Sequence, residues 1–253
     1  GVAVTATSDG SSVTVDDTVP TLTSVSIDSN NAETAADDET AIDGNTVTLT
    51  FVGSETLSAN ANGGKPACAF TLNSVAATNA DTVTNTGGNT WTCTFTLHDD
   101  DANALVVFSI AFSDVGGNDG VAVTATSDGS SVTLDDTVPT LSVVSIDSDN
   151  AETSATVETA IDGNVVTLSV TANEDIAQPT CTFKLNNVAA NDVSVTYTNA
   201  GDSDAATWTC AITLADADAE AAVTFSVAFS DTAGNAGVAV TAVTDGSSVT
   251  LDD

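Results

Sequence analysis

The chain has 253 residues, and its 2 Lys and Arg residues stand against 36 Asp and Glu residues, a formal net charge of −34. This charge excludes nucleic acid and anionic membrane surfaces as partners, because both would repel the chain. Hydrophobic residues make up 42% of the sequence and recur in alternation, which excludes intrinsic disorder. No apolar run approaches the roughly 18 residues that a membrane-spanning helix needs. The acidity destabilises a folded domain, so we expect high salt or divalent cations to offset it.

Segments rich in Val, Thr, Ile and Phe alternate with turn clusters, and this period of two predicts β-strands. In the first half, the predicted strands are Leu22–Ser29, Thr46–Phe51, Ala67–Asn73, Asp81–Asn85, Thr90–Leu97, Leu105–Asp114 and Val121–Ser127. Two of these strands carry a clear apolar face, formed by Trp91, Cys93, Phe95 and Leu97 and by Val106, Phe108, Ile110 and Phe112.

The stretch from Asn118 to Asp135 is too long for one strand of such a domain, since it would span about 55 Å when extended. We therefore expect a bulge or kink at Asp128-Gly129 that leads into Ser130–Leu134.

A phrase of 17 residues occurs three times, as GVAVTATSDGSSVTVDD at Gly1–Asp17 and with few changes at Gly120–Asp136 and Gly237–Asp253. Its starts are 119 and 117 residues apart, a period that indicates an array of whole domains. We expect residues 18–136 and 137–253 to form two repeats. Residues 1–17 are then the last strand of a preceding repeat or a donor strand, and the chain is an excised or processed piece of a longer protein.

Each repeat contains two cysteines at matching places. Four cysteines allow three connectivities, and the repetition favours Cys68–Cys93 and Cys181–Cys210. About seven strands, a Cys pair and a strand Trp in each repeat predict an all-β fold of tandem immunoglobulin-like sandwiches, each with one disulfide. The second repeat follows the same plan, with Trp208, Cys210, Ile212 and Leu214 matching the Trp91 strand. Paired thiols indicate an oxidising, extracellular or cell-surface location.

Three short motifs carry a resemblance to a known family. They are the linker DDTVPTL (Asp16–Leu22, Asp135–Leu141), a Glu after the second predicted strand (Glu55, Glu174) and a D-x-x-G-N turn (Asp114–Asn118, Asp231–Asn235). Together they resemble the tandem bacterial-type immunoglobulin-like (Big or extender-type) repeats of large surface adhesins and extracellular filaments. The resemblance covers both repeats, although most bacterial versions lack cysteine. It implies Ca²⁺ at the linkers between domains.

The sandwich fold itself predicts where these acidic residues meet. The entering linker and two of the loops lie at one pole, which gathers Asp16, Asp17, Glu55, Asp114 and Asn118 in the first repeat and Asp135, Asp136, Glu174, Asp231 and Asn235 in the second. Carboxylate and amide oxygens are the ligands that Ca²⁺ prefers. The alternative is a set of solvated turn acids, which Asp and Asn also provide for backbone reasons.

The sequence predicts a non-enzymatic structural segment of an extracellular fibre, filament or adhesin shaft, with Ca²⁺-stiffened junctions and possible assembly by strand addition. We expect no catalytic residues, because the one His occurs in one repeat only. The expected partners are neighbouring repeats of the chain or copies of it in a filament, without nucleic acid or membrane insertion. The alternative function is a surface- or glycan-binding adhesive module.

Overall fold

The computed structural model describes residues 10–32, 38–59, 64–77, 82–151, 156–190, 196–199 and 207–252, with the backbone alone at 196–199. Within these ranges the chain forms 18 strands and no helix, so none of the described residues forms a helix that could cross a membrane. The chain divides into two compact units, Gly1–Asp135 and Asp136–Asp253.

The first unit contains nine strands in two sheets and one strand pair. They are β1 Leu22–Ser29, β2 Asp38–Ala41, β3 Thr46–Gly53, β4 Ala67–Leu72, β5 Val75–Ala76, β6 Thr82–Gly87, β7 Thr90–Thr96, β8 Val106–Ala111 and β9 Ser131–Leu134. One antiparallel sheet has the order β1-β3-β7-β6 and the other β5-β4-β8, while β2 and β9 pair in parallel.

The second unit repeats this topology. Its strands are β10 Leu141–Ser148, β11 Val157–Ala160, β12 Val165–Ala172, β13 Thr180–Leu185, β14 Val188–Ala189, β15 Thr196–Asn199, β16 Thr207–Thr213, β17 Val223–Ala228 and β18 Ser248–Leu251. The sheet orders are β10-β12-β16-β15 and β14-β13-β17, and β11 pairs in parallel with β18.

The core of the first unit lies between the two sheets, where the alternating apolar residues meet. Val47, Leu49 and Phe51 of β3 are fully buried, while the residues between them are partly exposed. Both apolar faces predicted from the sequence, on the strands of Trp91 and of Phe108, are buried. The alternation of apolar and polar residues therefore predicts correctly which face of these strands packs against the core.

One disulfide joins the two sheets of each unit. Cys68 of β4 is bonded to Cys93 of β7, and Cys181 of β13 to Cys210 of β16, with Cα atoms 6.3 Å apart in both. The predicted pairing is confirmed. Each unit is thus an immunoglobulin-like β-sandwich with one disulfide, as the sequence predicts.

The prediction that Val121–Ser127 forms the last strand of the first repeat is wrong. This stretch touches β8 at one point only, where Val123 and Ile110 exchange two backbone hydrogen bonds. The chain then turns at Gly129, whose φ of +85° favours glycine, and the strand itself is β9. The expected kink is confirmed, and it moves the chain from β8 to the edge formed by β2.

Strand β2, which receives β9, was missed because its sequence, DETA, has a single apolar residue. Ala41 is fully buried, and Glu39 is buried as well although it is charged. Polar residues of this kind hide the period of two on which strand prediction rests.

Candidate metal centre

Asp114 is the buried centre of the turn that follows β8. Its carboxylate Oδ1 accepts the backbone N–H groups of Gly117 and Asn118 at 2.6 and 2.8 Å, and Oδ2 accepts the side-chain amide of Asn118 at 2.9 Å. The Asn118 side chain is the main cause that lowers the pKa of Asp114, with further help from the backbone donors. The D-x-x-G-N motif therefore fixes an ionised carboxylate in one orientation.

Glu55 is carried to this turn by the loop after β3. Leu57 of that loop forms a bridge with Asp114, and the N–H of Ser58 donates to the carbonyl of Ser113 at 2.9 Å. These backbone contacts hold the β3 loop, which carries Glu55, against the turn after β8.

The linker is tied to both loops. The N–H of Ser54 donates to the carbonyl of Thr21 at 2.8 Å, and the N–H of Thr21 donates to Ser54 Oγ at 3.0 Å. Further upstream, Asn118 Nδ2 donates to the backbone carbonyl of Asp16 at 2.9 Å. The asparagine thus holds the linker and the Asp114 carboxylate at the same time.

The result is a group of three carboxylates from separate segments. One carboxylate oxygen from each of Asp16, Glu55 and Asp114 lies within 4.8 Å of the other two. Burial raises the pKa of Glu55, and the negative charges of Asp16 and Asp114 raise it further. The repulsion is therefore concentrated on Glu55, and a cation placed among the three oxygens would remove it.

The donor set fits a hard divalent cation. Ca²⁺ takes six to eight oxygen ligands from monodentate or bidentate carboxylates, carbonyl groups and water. The three carboxylates supply one grouped oxygen each, and water would complete the coordination. Softer metals prefer His and Cys, and the cysteines of this chain are all in disulfides.

The remaining predicted residues of the first set have other positions. Asp17 is exposed and is not one of the three grouped carboxylates. Asn118 is adjacent, and its amide nitrogen donates to Asp114 Oδ2 and to the Asp16 carbonyl. Their roles as direct ligands stay predictions.

The second unit builds the same scaffold around Asp231. The N–H groups of Gly234 and Asn235 donate to Asp231 Oδ1 at 2.7 Å each, and Asn235 Nδ2 donates to Oδ2 at 2.8 Å. Ile176 forms a bridge with Asp231, as Leu57 does with Asp114. Glu174 lies two residues before Ile176 in the same loop and accepts a hydrogen bond from Asn173 at 3.3 Å.

The linker acids of the second set lie at the boundary of the two units. Asp135 ends the first unit, where its N–H donates to the carbonyl of Ala41 at 2.9 Å, and Asp136 begins the second unit. Their participation in a second metal site stays a prediction.

Sequence reasoning missed a buried carboxyl group in each unit. Glu39 Oε2 accepts the N–H of Ser29 at 2.5 Å, and Glu158 Oε2 accepts that of Ser148 at the same distance. Burial raises the pKa of Glu39 above its ordinary 4.5, and the neighbouring Asp28 raises it further. The shared Glu-Thr-Ala of the two segments was the available signal, but it does not reveal which backbone group the carboxylate caps.

No family model matches this sequence, and no curated protein matches it either. Among solved structures, the chain is similar to the adhesin FdeC of Escherichia coli, with 15% identity and a TM-score of 0.40 over 92% of this chain and 66% of that one. It is also similar to the D1-D2 pair of Rst (12% identity, TM-score 0.36, 93% and 100% covered) and to a tandem immunoglobulin pair of titin (13%, 0.29, 93% and 97%). Sequence identities and TM-scores this low give no information about a ligand or partner of this chain.

Proposed function

We propose that this chain is a structural segment of an extracellular fibre, filament or adhesin shaft, whose junctions are stiffened by Ca²⁺. The observation that carries the proposal is the group formed by Asp16, Glu55 and Asp114, because it joins a linker residue to two loops of the following sandwich. A cation held by all three would fix the linker to the domain. A fixed linker sets the direction in which a preceding domain is attached.

The electrostatics support the same conclusion. Without a cation, burial and the charges of Asp16 and Asp114 disfavour ionisation of Glu55, as its raised pKa indicates. Bound Ca²⁺ supplies two positive charges that offset the repulsion, so the folded domain and the bound linker are stabilised together. By the repetition of the sequence, the proposal gives the same role to the matching residues Asp135, Asp136, Glu174, Asp231 and Asn235.

The disulfides support the extracellular location, since such bonds persist in oxidising compartments. Each bond joins the two sheets of one sandwich and limits how far that sandwich can be extended. We assign the shaft role to residues 18–136 and 137–253 as two repeats. Residues 1–17 belong to a preceding repeat or act by strand addition.

A Ca²⁺ titration of the full chain by calorimetry tests the metal sites. The variant D16A/E55Q is expected to lose the site of the first unit and to keep that of the second, so about half of the bound Ca²⁺ disappears. The matched control D99N/D100N also removes two charges, but from the exposed loop after β7. It is expected to leave the titration unchanged.

Two results would contradict the metal proposal. One is an equal loss of Ca²⁺ binding in both variants, which would mean a diffuse attraction to an acidic surface. The other is the absence of measurable binding to the unaltered chain.

The glycan-binding alternative has one feature to consider in the first unit. An open cavity of about 500 Å³ is lined by Gly64, Lys65, Ala67, Ala111, Phe112, Ser113, Asp119 and Gly120. Its aromatic residue, Phe112, is buried under Gly120, so its ring face is not available for stacking on a sugar. The cavity therefore does not favour this alternative over the shaft.

A further inference from the structure

Two copies of the repeated phrase within the first unit differ completely in burial. In the second copy, Val132 and Leu134 are 0% and 1% exposed. In the first copy, the corresponding Val13 and Val15 are 94% and 78% exposed. The third copy, in the second unit, agrees with the second, because Val249 and Leu251 are again buried. Only the first copy leaves its two apolar side chains in solvent.

The buried copies show what this segment does when it has a partner. Strand β9 pairs in parallel with β2, with Asp38 opposite Ser131 and Ala41 opposite Leu134. Val132 and Leu134 enter the core from this pair. In the second unit β18 makes the same parallel pair with β11.

The residues just before β9 cover a second set of groups, the free edge of β1. Ser127 Oγ accepts the N–H of Val25, and Ser130 Oγ accepts the N–H of Ile27, each at 2.9 Å. Asp128 Oδ1 holds Ser130 in place by accepting its hydroxyl at 2.8 Å. The second unit repeats these contacts with Thr244, Asp245 and Ser247. The phrase therefore closes two open strand edges of its sandwich at once.

The exposed copy has the residues and the backbone for the same task. Ser11, Val13 and Val15 correspond to Ser130, Val132 and Leu134. Gly10 has a φ of +73°. The glycines at the kinks of the other two copies, Gly129 and Gly246, have similar φ values of +85° and +79°. Gly10 thus has the left-handed backbone of the two kink glycines.

We propose that residues 10–17 are a donor strand and that they fill the open last-strand place of another sandwich of this same repeat type. The donor pairs in parallel with the acceptor's counterpart of β2, and Val13 and Val15 fill the two core positions. This deepens the strand addition of the proposed function and does not depend on Ca²⁺. The acceptor is either an upstream repeat of the same chain or a sandwich of another copy.

The full chain with V249D/L251D tests this pairing, because the two charges expel β18 from its place in the second unit. This variant is expected to form head-to-tail oligomers, measured by light scattering, as residues 10–17 of one copy enter the vacated place of another. The variant V13D/V15D/V249D/L251D is the matched control and is expected to stay monomeric. V15L in the first variant should tighten the association about fourfold, the effect of one more buried methylene.

A second measurement keeps the test valid if the altered unit associates nonspecifically. A labelled peptide of residues 1–17 is expected to bind the quadruple variant V13D/V15D/V249D/L251D with one-to-one saturation in fluorescence anisotropy. The same peptide carrying V13D/V15D is not expected to bind it. Oligomers that persist in the quadruple variant, or a wild-type peptide that does not bind it, would overturn the proposal.

The unaltered chain distinguishes the two sources of the acceptor. If it stays monomeric, its own places are filled and the acceptor is an upstream repeat. If it forms oligomers that V13D/V15D abolishes, the acceptor is another copy. A failure here leaves the shaft proposal standing, because the carboxylates of Asp16, Glu55 and Asp114 are themselves unchanged in all of these variants.

Discussion

Ser12–Val15 and Ser131–Leu134 share one sequence apart from a Val in place of a Leu, and yet only the second is a strand. The difference lies in the partner. Ser131–Leu134 has β2 beside it and a core beneath it, whereas Ser12–Val15 has no strand partner among the described residues. The comparison teaches that strand propensity is realised only where a second edge and an apolar layer receive the segment.

The largest expected contrast comes from charging the same two positions in each copy. V132D/L134D places two carboxylates in the core and should destabilise the first unit by at least about 4 kcal/mol. V13D/V15D should change its free energy of unfolding by less than about 0.5 kcal/mol. Denaturant unfolding followed by Trp91 fluorescence in a W208F background reports on the first unit alone. Similar losses in both variants would mean that the first copy is packed in solution.

The disulfides give the next largest effect and compare the two units. C68A/C93A and C181A/C210A open loops with separations of 25 and 29 residues. Each change should destabilise its own unit by about 3.5 kcal/mol and leave the other unit unchanged. Separate transitions followed by Trp91 and Trp208 measure this. A loss that spreads to both units would show that they unfold as one.

The kink glycines should produce a smaller difference. G129A forces an alanine to a φ of +85° while β9 holds the following residues, which should destabilise the first unit by about 1–2 kcal/mol. A Cβ at either Gly129 or Gly10 meets no neighbouring atom, so the cost is conformational only. G10A should be nearly neutral because the segment after it pairs with no strand among the described residues. Equal costs would indicate that Gly10 is also held.

The pH dependence is expected to be the smallest effect. Because folding raises the pKa of Glu39 above 4.5, its protonated form favours the folded state. This stability is present in full below pH 4.5 and is lost as the pH rises through the raised value. The melting temperature of the first unit should therefore rise on acidification from pH 7, and E39Q should reduce that rise. Below pH 3.8 the lowered pKa of Asp114 works in the opposite direction. A melting temperature that falls steadily from pH 7 would contradict this assignment.

Much of the fold could be predicted because its strands are half buried. In Val47, Leu49 and Phe51 the alternation is complete, and the repetition of the cysteines was enough to pair them correctly. The pair of β2 and β9 was harder to predict from the sequence, because it is parallel and short and its strands are distant in sequence. Alternation in Val121–Ser127 indicated a strand where the chain instead crosses between sheet edges.

The grouping of Asp16, Glu55 and Asp114 followed from the fold, since the linker and two loops share one pole. The detailed function of Asn118 did not follow, because hydrogen-bond direction depends on the turn geometry. Glu39 was missed for a related reason: sequence gives the face on which a residue lies but not the backbone group that its side chain satisfies.

The most direct test of the Ca²⁺-stiffened shaft is thermal unfolding of the full chain in Ca²⁺ and in EGTA at matched ionic strength, with X-ray scattering on both samples. The account predicts a melting temperature many degrees higher in Ca²⁺ and a longer, stiffer particle. Unchanged melting and unchanged scattering would contradict it, and the acidic group would then be solvated surface on a flexible string of domains.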